Sequence, residues 1–177
     1  MRALTVSQPF ASLIASGMKF VENRRWSTSY RGPLAIHAGK GSVYLSSSEL
    51  NDYPRGAIVA VAELVACLSI EQIDLQCQEA SLVPGTIRSW MEIGNHVHTE
   101  GPFCWVLEDV RPTRLIEMRG AQGLWGVSDE LVYGAVIDRA LAHARLCWSC
   151  KNISSHADSI LPWVRCPLCN SADTRRT

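Results

Sequence analysis

The chain has 177 residues in which 17 Lys and Arg balance 17 Asp and Glu, and 47% hydrophobic with 19% charged residues describes a globular protein with a sizeable core. No apolar run reaches the ~18 residues of a membrane-spanning helix, and Met1 to Phe10 lacks the basic start and continuous apolar stretch of a secretory leader, so a cytoplasmic protein is expected. Neutrality here is an average: residues 1–40 carry +5, residues 41–109 carry −8, residues 110–144 balance and residues 145–177 carry +3, so basic surface is offered at both ends of the chain.

Ala3 to Val6 reads as a short strand, followed by a helix with Pro9 in its first turn, Gly17 as its stop, and Phe10, Leu13 and Ile14 on one face. Strand-like alternation then places Phe20, Glu22, Arg24 and Trp26 on one face and Val21 and Asn23 on the other. Tyr30-Arg31-Gly32-Pro33 marks a turn before a second strand, Leu34 to Ala38, in which His37 shares a face with Ala35. Pro54-Arg55-Gly56 opens a buried strand, Ala57 to Leu68, interrupted by Glu63. Residues 69–100 read as an irregular connection with one or two short helices. Phe103 to Val110, Arg114 to Met118 and Gly123 to Val127 read as three further strands, separated at Pro112 and Gly120. Ser128-Asp129-Glu130 starts a helix whose apolar stripe is Leu131, Val132, Ala135, Val136 and Ala140. Many short strands with flanking helices predict a mainly β, α+β protein built on a small barrel.

The seven cysteines divide by position. Cys67, Cys77 and Cys104 read as small buried hydrophobes. Cys147, Cys150, Cys166 and Cys169 form two Cys-x-x-Cys pairs separated by fifteen residues. Each pair aims two thiolates at one point, and four thiolates complete the tetrahedral shell that zinc prefers. A segment of about 30 residues buries too little apolar area to fold unaided, so one structural zinc ion would hold it together, with Trp148 and Trp163 packed around the metal. A redox pair, a disulfide staple and an iron centre are the competing readings; neither pair has the βαβ setting of a redox motif.

The densest chemistry lies between Gly17 and Lys40. Lys19, Glu22 and Arg24 form Gly-x-Lys-x-x-Glu-x-Arg, followed by Tyr30-Arg31-Gly32-Pro33-Leu34-Ala35-Ile36-His37-Ala38. Upstream stands Gln8-Pro9-Phe10-Ala11-Ser12, and downstream Gly101-Pro102-Phe103-Cys104-Trp105-Val106-Leu107 and Gly120-Ala121-Gln122-Gly123-Leu124-Trp125. In this order the four landmarks resemble the ASCH family over residues 1 to about 127. The resemblance implies a β-barrel related to PUA domains, with a cleft beside the first helix that binds RNA or another nucleic acid. The expected organisation is therefore a barrel domain over 1–127, a linker helix over 128–146 and a zinc ribbon over 147–177.

Lys19, Arg24, Arg31 and Lys40 are candidate phosphate contacts, Trp26 and Tyr30 candidate stacking surfaces, and Glu22 a candidate acceptor for a base amino group; His37 joins the candidate interface. The bland readings are an exposed Glu22–Arg24 ion pair, a packing histidine at position 37 and core positions for Trp105 and Trp125. Some ASCH members hydrolyse N4-acetylcytidine with a lysine, a threonine and a glutamate, and a ribonuclease activity is attributed to another. Lys19 matches that lysine, but Glu22 stands where the threonine would be, and Glu63 and Glu79 are the candidates for the glutamate. If the chain is an enzyme, Lys19 and Glu22 carry the reaction; binding is favoured over turnover. The implied partners are RNA or single-stranded nucleic acid at the barrel and a protein, in an adaptor role, at the ribbon, with the chain a monomer.

Overall fold

The computed structural model describes residues 1–137 and, beyond them, only the strand backbones of Arg145–Cys147, Ile153–Ser154 and Thr174–Arg176. The fold is mainly β. Six strands, β1 (Arg2–Val6), β2 (Val21–Arg24), β3 (Gly32–Ala38), β4 (Ala57–Ser69), β5 (Phe103–Glu117) and β6 (Leu124–Gly126), make one sheet in the order β2-β5-β4-β3-β1-β6. Four short helices accompany them among the described residues: α1 (Phe10–Ala15), α2 (Ile70–Gln76), α3 (Trp90–Gly94) and α4 (Asp129–Tyr133). The predicted mainly β class is met, with the strands ordered as a sheet whose edges are β2 and β6.

The chain packs as two compact units. The first comprises Met1–Met18, Ala35–Val61 and, of the described residues, 110–137; the second comprises Lys19–Leu34 and Ala62–Asp109.

In the first unit, β1 pairs antiparallel with β6, Ala3 opposite Trp125 and Leu4 opposite Leu124. Ala3, Ala35, Ile58, Val61 and Val132 form its buried cluster, flanked by Met1, Ile116, Met118, Trp125, Val127 and Val136. Helix α1 begins at Pro9, whose fixed φ suits a first turn, and ends at Gly17, which at φ +81° adopts the left-handed conformation that a side chain disfavours. Its buried residues are Ala11, Ser12 and Ile14 rather than the stripe Phe10, Leu13 and Ile14. Small residues turn inward, while Phe10 lays its ring edge-on against Tyr44 at 5.2 Å.

The second unit has its own core of Val21, Ala66, Leu68, Ile73, Val83, Trp90, Ile93, Cys104 and Val106. Here β2 pairs antiparallel with β5, placing Glu22 opposite Trp105 and Asn23 opposite Cys104. Capping boxes start α2 at Ser69 with Gln72 and α3 at Ser89 with Glu92, each satisfying two otherwise unpaired backbone N–H groups. The stretch 69–100, expected to hold one or two short helices, contains two.

Three boundaries differ from the sequence reading. Glu63 does not interrupt β4; it marks where full burial over Ala57–Ala62 changes to alternating burial. Pro112 does not end a strand, because β5 continues through it; within the same strand Asp109 takes φ +42°. Proline lacks only a donor, and the carbonyl of Pro112 accepts from the Ile137 N–H at 2.9 Å beside a Thr113–Val136 bridge. Ser128 does cap α4, accepting from Leu131 N at 3.3 Å, but that helix stops at Tyr133: residues 134–137 turn back to pair with β5 instead of extending a linker helix. Of the remainder of the expected linker, residues 138–144 lie outside the described residues, and Arg145 and Leu146 stand in a strand rather than a helix.

Cys104 is fully buried, while Cys67 and Cys77 are half-buried. Cys150, Cys166 and Cys169 lie outside the described residues, and of Cys147 only its backbone place is given, opposite Thr174 in the three-stranded order β8-β7-β9 of Ile153–Ser154, Arg145–Cys147 and Thr174–Arg176.

Candidate nucleic-acid interface

Within the second unit, β2 and the residues flanking it bring Lys19, Glu22 and Arg24 into one array. Strand alternation puts the Glu22 and Arg24 side chains on one face, and Arg24 Nη2 donates to Glu22 Oε1 at 3.1 Å. Lys19, only 2% exposed, lies three residues before Glu22; its amine is 3.3 Å from Glu22 Oε2 and also donates to the Val21 carbonyl. One carboxylate therefore serves two cations, one on each oxygen. Burial pulls the Lys19 amine below the usual lysine range, and the Glu22 carboxylate beside it opposes that shift in part.

A buried lysine that already donates to Glu22 and a carbonyl does not present its charge to a phosphate, as the sequence reading had it. Arg25 is exposed, and Arg31 is exposed with its guanidinium donating to the Thr28 and Tyr30 carbonyls at 2.9 and 2.7 Å.

Trp26 is 37% exposed and stands edge-on to the buried Trp105 at 4.7 Å between ring centroids. Trp105, opposite Glu22 in the sheet, also donates from Nε1 to the Trp26 carbonyl at 3.3 Å. Trp105 is thus the core residue expected, and it links the Glu22 array to a half-exposed aromatic. Tyr30 uses its hydroxyl locally, donating to the Pro33 carbonyl at 2.5 Å.

A loop that sequence reasoning passed over completes this site. Asn23, on the face of β2 opposite Glu22, donates to the His98 carbonyl at 2.8 Å and accepts from the backbone N–H groups of Glu100 and Gly101, each at 3.3 Å. Residues 98–101 are thereby tied to β2. His98 and Glu100 lie close enough to Lys19 to influence its titration or feel its charge, and His98 also senses Glu22. His96 packs on Phe20 at 4.0 Å, and the backbone N–H groups of Phe20 and His98 point at its two ring nitrogens at 3.3 and 3.2 Å. Burial, then the positive neighbours His98, Lys19 and Arg88, bring His96 down to about 4, so it is neutral at pH 7. The signal available in the sequence was His96-x-His98-x-Glu100 directly before Gly101-Pro102.

His37 and Lys40 belong to the first unit. His37 is 1% exposed, its Nε2 lies 3.1 Å from the Met118 carbonyl, and Trp125 meets the ring edge-on at 5.7 Å. Gly120 closes over it: a Cβ there would come within 2.5 Å of the imidazole and 2.7 Å of the Thr5 hydroxyl. This is a packing histidine. Lys40 is exposed, with its alkyl chain laid across Gly56.

Among the described residues no group of three or more His, Cys, Asp or Glu side chains is arranged to hold a metal, and no helix is long and apolar enough to cross a membrane.

The ASCH domain matches residues 4–117. Activating signal cointegrator 1 of Homo sapiens is 37% identical over 151 residues, covering 75% of this chain and 23% of that protein. Its Mus musculus counterpart is 37% identical over 94 residues, covering 44% of this chain and 16% of its own length. The chain therefore spans less than a quarter of either curated relative. An ASCH structure from Zymomonas mobilis is 17% identical with a TM-score of 0.44, covering 73% of this chain and 88% of that one. With the domain matched over well more than half its length, this chain belongs to the ASCH domain family.

Proposed function

We propose that the chain is a nucleic-acid-binding module that takes an unpaired RNA nucleotide at the surface formed by Glu22, Arg24 and Trp26. The observation that carries this reading is the Glu22 carboxylate, 7% exposed and fixed between Lys19 and Arg24, joined through Trp105 to a half-exposed tryptophan. A carboxylate pinned on a strand is a pre-set acceptor for a base amino group. An aromatic face beside it supplies sequence-tolerant stacking, and Arg25 and Arg31 supply charge for the flanking phosphates.

The residues around this surface limit its reach. Acidic residues dominate 41–109, so a long polyanionic track is disfavoured and the contact is one of a few phosphates. Three cations, Arg24, Arg25 and Arg31, correspond to a log–log salt slope of about −2 for a single strand.

Turnover of a modified nucleoside is the second reading, and the depressed Lys19 amine favours it. With Lys19 2% exposed and engaged by Glu22 and Val21, binding accounts better for the arrangement. The name of the mammalian relatives, activating signal cointegrator, supports a transcription-linked setting, with a protein partner engaged through the tail. One structural zinc ion held by Cys147, Cys150, Cys166 and Cys169 is part of the same proposal, supported by the spacing of the two Cys-x-x-Cys pairs.

The test is anisotropy of short single-stranded RNAs across a salt series, with wild type, Trp26→Ala and Trp26→Phe. Loss of affinity in Trp26→Ala with recovery in Trp26→Phe is expected. Equal affinity of all three proteins would remove the stacking role and with it this reading.

A further inference from the structure

The first unit contains a groove of about 510 Å³ lined by Lys40, Leu50, Asn51, Tyr53 and Arg55. Its walls are held by buried groups. Gln8, 0% exposed, donates from Nε2 to the Pro54 carbonyl at 2.6 Å, while its Oε1 accepts from the Ser12 N–H at 3.1 Å, so α1 anchors the segment that carries Tyr53 and Arg55. Gly56, at φ +71°, lets the Lys40 side chain cross directly over the backbone; a Cβ there would stand 2.7 Å from Lys40 Cε. The Gly39 N–H donates to the Val6 carbonyl and the Gly56 N–H to the Ala38 carbonyl, at 2.8 and 2.7 Å, and these bonds hold the backbone next to Lys40 and Arg55.

The chemistry of the lining is specific. Among the described residues neither Lys40 nor Arg55 makes an ion pair. The acids beside the groove are Glu49, which accepts from the Ser46 N–H and hydroxyl at 2.9 and 2.6 Å, and the exposed Asp52 between Asn51 and Tyr53. The lining also carries a half-buried tyrosine and a carboxamide. Burial first, then the charges of Glu49 and Asp52, keep the Tyr53 phenol protonated at neutral pH, so it offers a donor as well as an apolar face.

From this arrangement we propose that the groove is a nucleotide subsite, with Lys40 and Arg55 binding a phosphate monoester, Tyr53 contacting the base and Asn51 reading its edge. Two cations suit the doubly charged phosphate of a nucleoside monophosphate better than a neutral nucleoside, and the volume is that of one small ligand. Gln8 is a positioning residue: it donates to the carbonyl of Pro54, which stands between Tyr53 and Arg55 in the chain. The subsite stands independently of the Glu22–Arg24–Trp26 surface, because none of its residues is shared.

The experiment titrates the full chain with adenosine, AMP, inorganic phosphate and a trinucleotide RNA with or without a 5′-phosphate, by calorimetry and amide chemical-shift mapping. AMP should bind about tenfold or more tightly than adenosine or phosphate, with shifts at Lys40 and residues 50–56. Lys40→Gln and Arg55→Gln, both at exposed positions, should each lower AMP affinity by about tenfold, while Arg2→Gln, at an exposed position with no part in either surface, leaves it unchanged. Stronger binding of the 5′-phosphorylated trinucleotide than of AMP would identify an RNA end as the ligand; the reverse would identify a free nucleotide. Adenosine binding as well as AMP, or no shift at residues 50–56 at millimolar AMP, would overturn the assignment. Unchanged AMP binding in both Gln variants would overturn it equally.

Discussion

Glu22 is the residue on which the buried array depends, and its neighbours make the effect of removing it asymmetric. Both of its oxygens are used, one by Lys19 at 3.3 Å and one by Arg24 at 3.1 Å. Glu22→Gln leaves two cations with no anion between them, one of them almost fully buried, and breaking a buried pair in this way costs about 3–5 kcal/mol. Lys19→Met leaves the Glu22–Arg24 contact intact and removes a charge that burial already disfavours, so its cost should stay within about 1 kcal/mol and its sign can be stabilising. With a slope of about 2 kcal/mol/M in urea, Glu22→Gln lowers the unfolding midpoint by about 2 M, while Lys19→Met moves it by no more than about 0.5 M. Tryptophan fluorescence follows the transition, since Trp26 and Trp105 sit beside the array.

The pH dependence supplies a second readout. A lysine whose folded value lies below 10.5 binds its proton less readily in the folded than in the unfolded state. Its contribution to stability is fully present above 10.5 and is lost as pH falls through the folded value. The midpoint difference between wild type and Lys19→Met should therefore change as pH rises towards 10.5, in the direction that favours wild type. A Lys19→Met variant that loses as much as Glu22→Gln, with no such pH term, would refute this reasoning.

His96 should make the protein acid-sensitive. Its folded value is about 4 against 6.5 when unfolded, so its stabilising contribution is present above 6.5 and lost as pH falls towards 4. The full linkage value is ~3 kcal/mol, and partial exposure of the ring reduces it to about 1–2 kcal/mol. Urea midpoints at pH 7 and pH 4.5 for wild type and His96→Phe check this: the pH-dependent loss should shrink in the variant, and an equal loss in both would contradict it. Gly120→Ala should cost about 1–3 kcal/mol in thermal or urea unfolding, because the new methyl meets a buried imidazole at 2.5 Å; a neutral effect would show that the His37 pocket yields. Metal analysis of the purified chain should return one zinc per chain, falling when Cys147 and Cys166 are replaced by Ser; a metal-free chain would remove the ribbon from the proposal.

Much of the sheet is legible residue by residue. Ala57–Ala62 is small or β-branched throughout and is buried on both faces, while the run after Glu63 alternates because one face is less covered. Pro112 misleads because a missing donor ends a strand only where a partner requires that donor, and here the residue supplies a carbonyl to Ile137 instead. At the site, alternation alone places Glu22 beside Arg24. The burial of Lys19 is not legible, since a charged side chain after a helix stop reads as exposed until the chain around it is known. The 96–101 loop is hidden for another reason: its order comes from Asn23, a strand residue whose hydrogen bonds span more than seventy positions.

The central claim is that a base is taken against Trp26 beside the Glu22–Arg24 pair, and direct titration of a short unstructured RNA tests it. Wild type should show quenching of tryptophan fluorescence with a log–log salt slope of about −2. Trp26→Ala should lose about 1–3 kcal/mol of binding while keeping that slope. Unchanged affinity in Trp26→Ala, or binding indifferent to salt, would contradict the account.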